Sequence, residues 1–373
     1  MTTVLLVSWG RGNGHITRLR RIGRAFAAEG WRSVFLSHTS ATHVAALDDD
    51  DASVTYYPDW ADTADPWTRW SDPEFLSRSV DFDRTVIRAV SPDRIVNDNR
   101  LSMLIAAQLE GIPVTSLCQD NQLPGHRYAG KDVAEIWIFP VSAVNRLMSS
   151  HGLPGIHQDV RELFARGRIA IPGTPEFEPV ESQLAGALDV VHTGPLTPLI
   201  SGPPALPQDL LFYRTVGSIE DDFVRAFEDW PGTIYVATGE PRAVAQPGID
   251  RVRLAPLWDL AVIGAALRAV VHHGGHGTTT ACIAAGIPAV ILPGHNPERF
   301  ANGLRAQDRD LARVLPPDSV EGTRWGPAVD TTGDRPAWSL VRRAIDTLPA
   351  RRQDRPSMSS DVLTDAALVR LLA

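Results

Sequence analysis

Short runs of apolar and β-branched residues alternate along the chain with longer stretches in which apolar positions recur every three or four residues. Thr3–Ser8, TVLLVS, holds a short apolar run and predicts a strand, whereas residues 16–29 carry their apolar side chains at helical spacing. Residues 32–37 predict a second strand, and 94–97, 102–110 and 114–118 predict a strand, a helix and a strand in order. This alternation is that of parallel βαβ units. It resumes near Gly232, with strands expected over 233–238 and 252–254, a helix over 257–266, a strand over 269–272, a helix over 278–285 and a strand over 289–292. A last helical pattern covers 360–373.

Between the two halves, residues 190–209 repeat Pro and Gly, which sustain neither a helix nor a central strand, so this stretch is expected to be the interdomain linker. Residues 1–200 then form an N-terminal α/β domain and 201–373 a second one, with the terminal helix free to pack back on the first. Residues 58–83, rich in Trp, Asp and Ser with little periodicity, predict a long loop or irregular helices. Loops of that length are often functional.

Composition narrows the function. With 36 basic and 44 acidic residues the chain carries a formal charge of −8 and no polybasic run, so no nucleic-acid partner is expected. Nowhere do roughly 18 apolar residues follow one another, so no stable membrane insertion is expected. The first apolar run is short and lacks a basic flank, and reads as a strand rather than a signal peptide. A cytoplasmic location fits the two cysteines, Cys118 and Cys282, which sit in apolar surroundings as buried thiols.

Two glycine-rich turns carry the candidate chemistry. The first strand runs into Gly10-Arg-Gly12-Asn13-Gly14-His15, where glycines permit close backbone approach and a helix start supplies free N–H groups. The spacing is not that of a dinucleotide fingerprint, and the P-loop lysine is absent. His15 ends this loop, where a neutral imidazole can take a proton from a hydroxyl if a carboxylate orients it. Asp98, closing the strand over 94–97, is the candidate; Asp93 precedes that strand and faces the wrong end, while Asp120 after the next strand is a competitor.

The second turn is AVVHHGGHGTTT, residues 269–280. Thr278 and Thr279 are expected to cap a helix whose N–H groups meet an anion, a natural diphosphate seat, with His272 as a further donor. His272, His273 and His276 make a histidine-rich tract, but adjacent residues on a strand point to opposite faces, so no metal site is expected.

This run resembles the donor-binding signature of the GT-B glycosyltransferases that use nucleotide sugars, the superfamily of plant secondary-product and bacterial antibiotic enzymes. The matching residues are Val270, Val271, His272, His273, Gly274, Gly275, Gly277 and Thr278, followed by Gly286-Ile-Pro288 and a strand ending at Pro293. Gly14-His15 is similar to the segment bearing that superfamily's catalytic base, and Asp98 falls where its orienting aspartate is expected. Thr238 and Gly239 resemble the turn that approaches the donor phosphates, and Pro256 and Leu257 the segment that holds the base.

The resemblance implies a GT-B fold, two Rossmann-like parallel-sheet domains facing a cleft. It implies a metal-independent, inverting hexosyltransferase that takes a UDP or TDP sugar as co-substrate, needs no cofactor, and glycosylates a small natural product, as in antibiotic biosynthesis. His15 is then the base, oriented by Asp98. Gly12, Asn13, Gly14, His276 and the residues just named face the donor. Where the family usually has an acidic residue and then glutamine, this chain has Glu298 and Arg299, with His295 and Asn296 beside them. Trp60, Trp67, Trp70, Phe75 and Trp137 are candidates for an aromatic acceptor platform, and equally for packing. A nucleotide-sugar 2-epimerase and a non-catalytic nucleotide-sugar binder are the competing readings. A homodimer is compatible with all of them.

Overall fold

In a computed structural model of the protein, the described residues are 1–9, 13–48, 52–61, 69–126, 138–197, 207–213, 221–238, 250–294, 296–315, 338–350 and 363–373. They divide into two compact units, Met1–Leu196 with Asp361–Ala373, and Thr197–Ser360.

The first unit contains β1 Thr3–Ser8, α1 Asn13–Ala28, β2 Arg32–Ser37, α2 Ala41–Asp48, β3 Ser53–Tyr56, α3 Pro73–Val90, β4 Arg94–Asp98, α4 Leu101–Glu110, β5 Val114–Leu117, α5 Val141–Ser150, β6 Arg168–Ile171, α6 Ser182–Ala187 and β7 Val190–His192. Its seven strands are parallel in the order β3-β2-β1-β4-β5-β6-β7. Successive side chains of β1 serve opposite faces: Leu5 and Val7 pack with residues of α3 and α4, while Val4 and Leu6 pack with Ile16, Leu19 and Phe26 of α1. Both faces are therefore covered, which is why β1 reads as a continuous apolar run. The returning helix Asp365–Leu372 completes the second layer, burying Leu368, Val369 and Leu372 there. The Thr115 hydroxyl donates to the Leu372 carbonyl, and Arg21 pairs with Asp365. Between α3 and α4, the fully buried Arg100 donates its Nε–H to Asp83 at 2.9 Å, while its guanidinium stacks on Trp9 and Tyr57.

The second unit contains β8 Asp209–Tyr213, α7 Asp221–Phe227, β9 Ile234–Ala237, β10 Val252–Ala255, α8 Leu260–Ile263, β11 Leu267–His272, α9 His276–Ala284, β12 Ala289–Ile291, α10 Pro297–Gln307, β13 Ala312–Val314 and α11 Trp338–Asp346. Its six parallel strands run β10-β9-β8-β11-β12-β13. Phe212 meets Phe223, Phe227 and Trp338 edge to face on one side of this sheet, and Leu211, Val270, Cys282 and Ile287 pack on the other.

Four expectations need correction. Residues 190–209 are not linker throughout: 190–192 form β7 at a sheet edge, where a short strand needs pairing on one side only, and Asp209 opens β8. The second sheet accordingly starts before Gly232, with a central strand. Within the stretch 58–83 expected to be loop or irregular helices, residues 73–83 belong to the long regular helix α3, which starts at Pro73 after Asp72, whose carboxylate caps the Glu74 and Phe75 N–H groups. The helix expected over 257–266 is a single α-helical turn followed by a 3₁₀ turn at Gly264–Ala266. Both cysteines are free and buried, as expected. Among the described residues, no helix is long and apolar enough to cross a membrane.

Candidate active site

In the first unit the strand order reverses between β1 and β4, and ligands of open parallel sheets gather at the carboxyl ends of such a pair. His15 lies in the first turn of α1 just after β1, and Asp98 ends β4 in register with Ser8. Their side chains meet there, His15 Nδ1 lying 2.9 Å from Asp98 Oδ1, with the imidazole 23% exposed and the carboxylate 0%. The carboxylate that meets His15 is thus that of Asp98. Asp93 accepts the Thr3 N–H at the amino end of the sheet, and Asp120 is buried in the 3₁₀ turn Asp120–Gln122.

A residue that the sequence reading missed completes this cluster. Arg18, one helical turn beyond His15, donates to both Asp98 oxygens, Nη2 to Oδ2 at 2.8 Å and to Oδ1 at 3.0 Å and Nε to Oδ2 at 3.2 Å. Its Nη2 also lies 3.1 Å from His15 Nδ1. Burial pushes the Asp98 carboxyl up, but the charges of Arg18 and protonated His15, with their hydrogen bonds, outweigh it and hold the group below the usual aspartate range. Spacing of three residues on a helix was the available signal.

In the second unit the order reverses between β8 and β11, and the glycine-histidine turn follows β11. Gly274 has φ +84, and a Cβ there would lie 2.5 Å from the Arg299 carbonyl oxygen, so the position requires glycine. At Gly275 a Cβ would lie 2.7 Å from His273 Nε2. Gly275 is also the N-cap of α9, which places Thr278 and Thr279 inside the helix and corrects their expected capping role. The Thr279 hydroxyl instead bonds back to the Gly275 carbonyl. The Gly277 and Thr278 N–H groups, in the first turn, have no acceptor within the helix.

His272 is fully buried. Its Nδ1 accepts the Gly274 N–H at 3.1 Å, which fixes the ring proton on Nε2, and that nitrogen has no partner among the described residues. Burial lowers its pKa to about 3, so the ring is a neutral, permanent donor. His273 is likewise lowered to about 3 by burial, then by Arg299 and His272. The sequence reading also missed Tyr213, at the end of β8, whose hydroxyl bonds to Thr278 and whose pKa burial raises to about 12.

The other expected donor residues are placed as follows. Thr238 closes β9 with its N–H and hydroxyl on the Ala255 carbonyl, and Pro256 and Leu257 are exposed just beyond β10. Asn296 caps α10 by accepting the Arg299 N–H, which occupies its side-chain oxygen. Arg299 has its pKa lowered by burial, partly offset by Glu298. Buried His276 starts α9. Gly12, Gly239 and His295 and the Asn13 side chain lie outside the described residues, as do Trp67 and Trp137. Among the described residues no three His, Cys, Asp or Glu side chains converge as a metal set.

Two aromatic candidates are corrected. Trp70 and Phe75 are buried in the first core, their rings 5.2 Å apart and Trp70 4.9 Å from Trp9, because α3 draws them onto the sheet. Trp60 is half-buried, with the Arg78 guanidinium 4.1 Å over its ring.

Residues 237–347 match the family described as erythromycin biosynthesis protein CIII-like, C-terminal domain. The chain is 27% identical over 273 residues to a PGL/p-HBAD biosynthesis glycosyltransferase of Mycobacterium tuberculosis, a match covering 64% of this chain and 62% of that protein. It is 32% identical over 160 residues to the L-demethylnoviosyl transferase of Streptomyces niveus, covering 40% and 41%. The chain thus spans less than two thirds of the length of these relatives. Among solved structures it is similar to the calicheamicin glycosyltransferase CalG4, with a TM-score of 0.65 at 20% identity over 99% of this chain and 96% of that one. The glycosyltransferase VinC, solved with DTDP, gives a TM-score of 0.60 at 18% identity over 100% and 94%. At such identities the structural likeness is one of fold. The two parallel sheets give the chain the GT-B fold of these solved structures, and its residues 237–347 are similar to the erythromycin biosynthesis protein CIII-like C-terminal domain.

Proposed function

We propose that the chain transfers a hexosyl group from a nucleotide diphosphate sugar to a small natural-product or glycolipid acceptor, with inversion and without a metal. The observation that carries this reading is the 2.9 Å contact between His15 Nδ1 and buried Asp98. A carboxylate on Nδ1 favours the tautomer whose Nε2 lone pair is free to take the acceptor's proton.

Glycosyl transfer also needs preorganised donors where the leaving diphosphate gathers charge. The first-turn amides of α9 and the fixed Nε2–H of His272 are suited to that role in the second unit. A neutral donor that does not titrate binds an anion without changing with pH. VinC was solved with DTDP and another structural relative, LpCGTa, with UDP, so both nucleotides are the first to test. Half-buried Trp60 is the aromatic we assign to acceptor contact.

The test incubates the protein with UDP and TDP hexoses and a panel of phenolic and macrolide aglycones, following nucleotide release and glycoside by chromatography. Anomeric proton couplings give the stereochemistry. The reading expects acceptor-dependent release and an inverted anomeric centre, both abolished by His15→Ala. Conversion of the donor sugar without acceptor would point to the epimerase instead, and tight nucleotide binding without turnover to the binder.

A further inference from the structure

The His15 imidazole is contested at one nitrogen. Nδ1 lies 2.9 Å from an Asp98 oxygen and 3.1 Å from Arg18 Nη2. A guanidinium only donates and a carboxylate only accepts, so these neighbours favour opposite tautomers. Donation from Nδ1 to Asp98 leaves Nε2 basic, whereas acceptance from Arg18 puts the proton on Nε2 and leaves no base facing outward. Arg18 meanwhile holds Asp98 through three contacts while itself only 7% exposed. Among the described residues, Asp98 interacts electrostatically with Arg18 and His15 from α1 and with Cys118 beyond β5, whose thiol burial and then the Asp98 charge keep protonated.

We propose that Arg18 is a positioning residue for His15: it holds Asp98 as the ionised acceptor of the Nδ1 proton, so that the contested ring keeps its Nε2 lone pair outward. The inference rests on the reading of His15 as base for its catalytic consequence, but its physical content concerns the ring alone. Arg18 fixes the position and the ionised state of the carboxylate, and the carboxylate in turn fixes the tautomer.

The experiment is proton–nitrogen correlation spectroscopy on the full chain labelled with ¹⁵N-histidine, with His15 assigned through His15→Gln. In the unsubstituted protein the neutral His15 ring carries its proton on Nδ1. In Arg18→Gln the Asp98 carboxylate loses its guanidinium clamp, so the ¹⁵N shifts report a mixture of the two tautomers and kcat falls with KM unchanged. Arg18→Lys keeps a charged donor to Asp98 and restores both the Nδ1–H signal and kcat, which a merely structural role for the side chain would not do. In Asp98→Asn the proton moves to Nε2 because only Arg18 remains as a charged neighbour, and adding Arg18→Gln removes that bias.

An undisturbed Nδ1–H tautomer with full kcat in folded Arg18→Gln, or a proton that stays on Nδ1 in Asp98→Asn, overturns the proposal. Should Arg18→Gln not fold, Arg18→Lys and Asp98→Asn still decide it. Full turnover in His15→Ala would sink the base reading while leaving the spectroscopic result intact, so the two failures are distinguishable.

Discussion

Replacing His272 with Asn removes a buried titrating ring while keeping an oxygen close to where Nδ1 accepts the Gly274 N–H. The magnitude follows from linkage. The ring's pKa falls from 6.5 to about 3 on burial, so between these values the unfolded chain binds one proton more than the folded chain. The His272 contribution is therefore full above 6.5, declines as the pH drops, and levels off near 3. Each pH unit within that window removes about 1.4 kcal/mol, so acidification to about pH 4 removes about 3 kcal/mol. Amide exchange along α9 and urea unfolding, measured from about pH 8 to about pH 4, read this loss. Groups away from this turn titrate alike in both proteins and cancel in the difference; His273 changes only through the smallest of its three causes. His272→Asn starts less stable, then converges on the parent by about 3 kcal/mol as the pH falls. Curves that run parallel over the whole range would show that the ring titrates normally and is not the fixed donor described above.

Further outcomes test the remaining parts. His15→Ala and Asp98→Asn should each lower kcat by roughly 100-fold to 10,000-fold with nucleotide affinity, measured by calorimetry, unchanged. Gly274→Ala should lower the stability of the second unit by about 2 kcal/mol or more in denaturant titration, since φ is +84 and the Arg299 carbonyl leaves no room for Cβ. Asp83→Leu should cost about 3 to 5 kcal/mol by stranding the Arg100 charge in the core, and a second substitution, Arg100→Met, should recover much of it. Asp72→Ala should remove about 1 kcal/mol by uncapping α3, seen as faster exchange in its first turn.

Much of the architecture was legible because parallel strands covered on both faces are continuous apolar runs, as β1 and β11 are. The turns after them were legible through glycine spacing. What escaped notice had weaker local signals. The strand β8 follows a proline-rich stretch that masks its five residues, and with it went Tyr213. The helix α3 was hidden by the tryptophan-rich stretch before it, although Asp72-Pro73 is an ordinary helix start. Arg18 is one of several arginines on α1, and only the sheet register that sets Asp98 beside Ser8 reveals why it is buried.

The chain's return into its first unit orders the events of biosynthesis. Residues 363–373 supply Leu368, Val369 and Leu372 to a layer that otherwise comes from the amino-terminal segments. A ribosome making this protein must therefore emit the whole second unit before the first can close its apolar layer. Until then α1 presents Ile22 and its neighbours to solvent or to a chaperone, and truncation before residue 363 should yield a polypeptide whose second half matures while the first stays prone to aggregate.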